Sequence, residues 1–221
     1  MSLPVFSLFP YSKKGESEAI ETASRIVEFV KKGRIGFLNE YFDQKISPAD
    51  KQLLSDFIPP NATLIPLPKS APLLENAVWP GRDICEMLLS KGWGGEYLPL
   101  IKRKTAVPKA AFQPNAEERP TVELHINSME LDESTVFSQH IQEIVLVDDV
   151  VTQGRTAYAA FVKLQSKFPG IPVKLFTLVR SDSFHKINHW SEPAKSEIIF
   201  YPGSGKTFHN MDPNPPVGLW G

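Results

Sequence analysis

Two adjacent carboxylates, Asp148 and Asp149, interrupt an apolar run: Ile144, Val145, Leu146 and Val147 precede them, and Val150 and Val151 follow. A polar loop, Thr152-Gln153-Gly154-Arg155-Thr156, then leads into a helical pattern. A continuous apolar run of this kind reads as a strand buried on both faces of a parallel sheet. Paired acids at its end are costly there unless they face a ligand, a metal or water. The loop can cradle an anion, because a helix start offers about four unpaired N–H groups and a positive dipole end. Gly154 lets the backbone approach without a Cβ. Thr152 and Thr156 supply hydroxyls, and Gln153 supplies an amide. Arg155 either pairs with a phosphate or faces solvent. The segment therefore offers carboxylates for sugar hydroxyls or a cation, beside a seat for a phosphate. The alternative is a buried strand followed by a capped helix, which the same residue types favour.

Two further loops carry chemistry. Pro66-Leu67-Pro68-Lys69-Ser70 follows a strand pattern, so Lys69 and Ser70 are anion-binding candidates at a strand end. Arg82, opening the next helix, is within reach of the same place. Lys102-Arg103-Lys104-Thr105, with Lys109 and Arg119 beyond, is a basic stretch; such runs are often only solvated surface. Gly203-Ser204-Gly205-Lys206-Thr207 lacks the glycine that a nucleotide-triphosphate loop needs, because position 200 is Phe. His125, His140, His185, His189 and His209 show no metal-binding spacing. Asp56, Asp132 and Glu133 read as capping or surface acids.

These loops need a frame. Apolar spacing predicts a helix over 16–32, a short strand pair near 34–42, and a helix from Ser47-Pro48 to about Phe57. Strands are expected at 63–66, 97–101, 142–148, 173–179 and 197–201, with helices over 82–91 and 157–168. Residues 102–120 read as a long mobile loop. Alternating strands and helices indicate an α/β protein with a mostly parallel central sheet flanked by helices. Ligands in such sheets sit outside the carboxyl ends of the strands, where the three loops fall.

The order from Ile144 to Thr156 resembles the signature of the type I phosphoribosyltransferases: four apolar residues, two acids, two apolar residues, then Thr-Thr-Gly-x-Thr. Gln153 stands where the second Thr is usual. The stretch from Leu100 to Val122 resembles the competence protein F branch of that family, without the cysteine ribbon of that branch. The resemblance covers residues 60–182. It implies a Rossmann-like, type I phosphoribosyltransferase-like core over 59–182, with 1–58 as an N-terminal helical extension. Residues 183–221 become a C-terminal extension or hood, in which Phe184, His185, Trp190 or Tyr201 would stack on a base.

The resemblance also implies the chemistry. Phosphoribosyl pyrophosphate would bind with Mg²⁺, and ribose 5-phosphate would pass to a nitrogenous base with release of pyrophosphate. Asp148 and Asp149 would hold the ribose hydroxyls, touching the metal only through substrate or water. Thr152, Gln153, Gly154, Arg155 and Thr156 would hold the 5′-phosphate. Lys69, Ser70, Lys102 and Arg103 would face the pyrophosphate. The alternatives are a non-catalytic sensor of the donor or of a nucleotide, linked to DNA uptake or regulation, and a hydrolase acting on a phosphoribosyl nucleotide.

Composition excludes other classes. The chain has 221 residues, 42% hydrophobic and 22% charged, enough for one sizeable core. A net charge of −1 gives no global field for nucleic acid or anionic membrane. Cys85 is the only cysteine, so neither an intrachain disulfide nor a multi-cysteine zinc site can form. No run approaches the ~18 apolar residues of a membrane span, and the N-terminus does not read as a signal peptide. The expectation is a cytoplasmic protein with small-molecule partners; dimers are common in the resembled family.

Overall fold

The computed structural model describes residues 1–12, 17–108, 119–132, 141–181, 187 and 189–211. Its elements, in chain order, are β1 (Ser2–Tyr11), α1 (Glu18–Lys31), α2 (Phe37–Glu40), α3 (Pro48–Phe57), β2 (Thr63–Pro66), α4 (Pro80–Ser90), β3 (Glu96–Tyr97), β4 (Ile101–Arg103), α5 (Val122–Ser128), β5 (Met129–Leu131), β6 (Ile144–Val151), α6 (Arg155–Lys167), β7 (Val173–Ser181), β8 (Ala194–Tyr201) and β9 (Lys206–Asn210). Seven strands form one sheet in the order β3-β2-β6-β7-β1-β8-β9. The first five of these run parallel, and β8 and β9 close one edge antiparallel. A separate antiparallel pair, β4 with β5, stands off the main sheet. The protein is thus α/β with a mostly parallel sheet between helices.

Strand β6 is apolar on both faces because both are covered. Val145 and Val147 join one core with residues of α1, α3 and α4, while Ile144 and Leu146 join another with α6. Helix α1 starts at Ser17, whose Oγ accepts from the Ile20 N–H at 3.3 Å, and it buries Ala23, Ile26, Val27 and Val30. Helix α3 starts at Ser47 with Pro48 in its first turn.

Four expectations are corrected. Residues 34–42 form no strand pair; they form α2 and a π-helical turn at Tyr41–Lys45. Tyr41 and Phe42 drive this by packing with Phe9 and Trp93, with ring centroids 4.9 Å apart in each pair. Residues 1–58 are not a helical extension, because β1 lies between β7 and β8. Its prolines hid it. Pro4 precedes the pairing with β7, which begins at Val5, and Pro10 lies beyond the pairing with β8, which ends at Ser7. Each therefore has a side where a missing N–H deprives no neighbour. Residues 183–221 are not simply an appendage, since β8 and β9 belong to the same sheet. The single strand expected at 97–101 is two short ones in different sheets, β3 and β4, and β4 takes the first residues of the expected 102–120 loop. Lys109, with the rest of 109–118, lies outside the described residues.

The position of β1 makes a prediction. Phe6 is fully buried and packs on Phe57 and Phe176. Phe6→Ala should lower unfolding free energy by about 3–5 kcal/mol in urea titrations. An unchanged midpoint would mean that β1 is peripheral.

Candidate functional site

The carboxyl ends of β2 and β6 lie side by side, with Pro66 opposite Val147, so their loops open on one pocket. Strand β6 continues through the acids to Val151. The Asp149 N–H donates to Asp148 Oδ1 and the Val150 N–H to Asp149 Oδ1, each at 2.9 Å. Asp148 lines the pocket, while Asp149 does not. Burial, then the charge of Asp149, pushes the Asp148 carboxyl well above the usual range. Without a ligand, Asp148 is thereby held towards its neutral form.

The next loop is fixed from behind. Gly154, at φ +72°, caps α6 in the left-handed region. A Cβ there would lie 2.2 Å from Ile198 Cδ1 on β8. Thr207 on β9 donates its hydroxyl to the Gln153 carbonyl at 2.6 Å. The β8–β9 hairpin thus braces the loop while Thr152 to Thr156 line the pocket. The first residues of α6, Arg155 to Ala157, line the same pocket, where a helix start favours an anion.

Three arginines stand at the pocket. Arg103 is only 5% exposed, and its Nε donates to the Lys69 carbonyl at 2.9 Å. Its Nη1 donates to Ser128 Oγ at 2.5 Å and lies 3.5 Å from His125 Nδ1. No carboxylate among the described residues pairs with it, and burial lowers its pKa to about 10, so it stays charged at neutral pH. Arg155 is buried and donates from Nη1 to the carbonyls of Arg119 (2.9 Å) and Pro120 (3.1 Å). Burial, then the charge of Arg119, lowers its pKa. Arg119 also lines the pocket, and its Nε is buried without a hydrogen-bond partner. His125, at the pocket wall, is pushed down to about 4 by burial and by Arg103 and Arg155.

The sequence candidates divide accordingly. Asp148, Thr152, Gln153, Gly154, Arg155, Thr156, Ser70 and Arg103 share the pocket. Lys69 is exposed, donates Nζ to the Val78 carbonyl at 3.0 Å and does not line the pocket. Lys102 projects from the opposite side of β4 to Arg103 and pairs with Asp132 at 2.5 Å. Strand alternation explains this: neighbours on β4 cannot face the same way. Arg82 does not reach the pocket; it pairs with Asp83 at 3.0 Å. Arg155 neither faces solvent nor is reserved for a ligand, because two backbone carbonyls hold it. Trp190 stacks on Phe9 with centroids 5.9 Å apart, so core packing and not a base occupies that face. Tyr201 is exposed at the end of β8. Phe184 and His185 lie outside the described residues. His125, Ser128 and Thr207 carry no local sequence signal for these roles, because tertiary packing brings them to Arg103 and Gln153.

Among the described residues no group of three or more His, Cys, Asp or Glu could hold a metal ion. That donor set does not fit a metal caged by protein. It fits Mg²⁺ carried largely on substrate oxygens, which needs at most one or two carboxylates. Among the same residues, no helix is long and apolar enough to cross a membrane.

No protein-family model matches the chain, and no curated protein matches it by sequence. Among solved structures, the chain is similar to the xanthine-guanine-hypoxanthine phosphoribosyltransferase of Helicobacter pylori. That alignment has TM-score 0.35 and 12% identity over 81% of this chain and 84% of the other. It is also similar to the adenine phosphoribosyltransferase of Leishmania tarentolae, at TM-score 0.27 and 15% identity over 83% and 87%.

Two predictions follow the geometry. Gly154→Ala should cost about 1–2 kcal/mol for the left-handed backbone alone, and more from the contact with Ile198. Adding Ile198→Ala should recover part of the contact cost, seen as a positive coupling in a double-mutant cycle of urea stabilities. Purely additive losses would place the loop away from β8. The second concerns pH. The folded His125 value of about 4 lies below its ordinary 6.5, so between them the unfolded chain binds more protons. Stability from this residue is therefore present above pH 6.5 and lost as pH falls towards 4. Asp148, shifted upward, acts in the opposite sense above its unfolded value. Relative to His125→Gln, the wild type should lose about 3 kcal/mol across that window. Parallel pH profiles would mean that the ring titrates normally.

Proposed function

We propose that the protein is a phosphoribosyltransferase-like enzyme that binds phosphoribosyl pyrophosphate with Mg²⁺ and transfers ribose 5-phosphate to a nitrogenous base. The observation that carries this reading is the meeting, in one pocket, of Asp148, the loop that opens α6, and the guanidinium-bearing residues Arg103 and Arg119. A molecule that carries a phosphate, a diol and a pyrophosphate matches that set of groups. The Asp148-Asp149 and Thr152 to Thr156 sequence pattern points the same way.

In this reaction the bond from the anomeric carbon to the pyrophosphate oxygen breaks and a bond to the base nitrogen forms. Positive charge grows on the ribose as negative charge grows on the leaving group. Thr152, Thr156 and the backbone of the loop hold the 5′-phosphate. Asp148 accepts from a ribose hydroxyl and so orients the anomeric carbon. Arg103 and Arg119 face the leaving group, where charge increases towards the transition state. Bound Mg²⁺ would further neutralise the pyrophosphate oxygens.

One observation favours a second reading, a sensor that binds the donor without turnover. Lys69 and Lys102, expected at the pyrophosphate, are directed elsewhere. The deciding experiment measures pyrophosphate release from phosphoribosyl pyrophosphate with each common base. Transfer predicts release that depends on one base and falls about 10- to 100-fold in Asp148→Asn or Thr156→Ala. Tight binding with no release for any base would establish the sensor. Release without any base, yielding ribose 5-phosphate, would establish hydrolysis.

A further inference from the structure

Helix α5 places His125 among arginines. The ring is 6% exposed and borders the pocket. A guanidinium only donates, so the nitrogen 3.5 Å from Arg103 Nη1 is the ring's acceptor, Nδ1. In the neutral ring the proton then sits on Nε2. Among the described residues that nitrogen has no hydrogen-bond partner, and the residue itself lies in the pocket wall.

The charges around the ring are almost all positive. Strand β4 brings Arg103, α6 brings Arg155, and the segment before α5 brings Arg119. Strand β5 offers Glu130 and α5 itself offers Glu123, both exposed. Asp148, across the pocket, is held towards neutral by burial and by Asp149. An unliganded ring in this setting cannot easily accept a second proton. A dianion arriving between the arginines reverses the local field. At 3.5 Å the contact between Arg103 and Nδ1 is long. Arg103 can give it up and keep Ser128.

We propose that His125 is a proton-linked ligand contact: its Nε2–H donates to a phosphate-type dianion held by the arginines, and the ring takes up a proton from solvent as that anion binds. The inference rests on the reading of this pocket as the pyrophosphate end of a donor site. It adds a residue and a pH dependence to that site. By linkage, each unit by which the anion raises the ring's pKa tightens anion binding tenfold at low pH relative to high pH.

The test is a proton NMR titration of the histidine rings, with and without saturating inorganic pyrophosphate. The His125 signal is assigned by its loss in His125→Gln. The expected result is a midpoint at least one pH unit higher with pyrophosphate. Calorimetry should show the matching tightening at low pH in the wild type and not in His125→Gln. An unmoved midpoint with pyrophosphate bound would overturn the inference and leave the transferase reading intact. A moved midpoint without transfer to any base would uphold the inference and remove transferase activity. Failure of pyrophosphate to bind at any pH would overturn both.

Discussion

The Arg103 guanidinium reaches into the interior from β4 and joins three separate segments. Its Nε holds the carbonyl of Lys69 in the loop after β2, and its Nη1 holds Ser128 at the end of α5 and approaches His125. Burying a charge costs several kcal/mol unless hydrogen bonds and counter-charge offset it. The hydrogen bonds are present, and the counter-charge among the described residues is not. That imbalance shapes the rest of the pocket. After burial itself, it is what holds His125 towards neutral, and it leaves a site ready for an anion beside α5 and the β4–β5 pair, off the main sheet.

The main sheet supplies the other half of the site. Its parallel strands bring the ends of β2 and β6 together, and its antiparallel edge reaches back under the loop. Ile198 fills the space that any side chain at position 154 would need, and Thr207 fixes the carbonyl before it. The C-terminal hairpin therefore positions the loop. The N-terminal strand, inserted between β7 and β8, sets where that hairpin can lie. The C-terminal hairpin thus touches the loop from behind, and the N-terminal strand contributes by placement.

Much of this was legible in the residues. The apolar run into Asp148-Asp149 and the glycine at position 154 identify a strand, a loop and a helix start, because those signals are local. The direction of Lys102 and Arg103 was not legible, since a basic run does not say which members face inward until the strand is paired. Strand β1 was hidden by Pro4 and Pro10, whose cost depends on which neighbours exist. The approach of His125 to Arg103 spans 22 positions and is set by tertiary packing alone. Periodicity cannot report such a contact.

The central claim is that one molecule with a phosphate at each end bridges the loop and the arginine wall. Competition binding tests it most directly. Labelled phosphoribosyl pyrophosphate, with Mg²⁺, is titrated against ribose 5-phosphate and inorganic pyrophosphate, separately and together. The account predicts that each fragment displaces the donor by itself, and that the two fragments bind at the same time. Displacement by neither fragment, or an absence of donor binding, would contradict it.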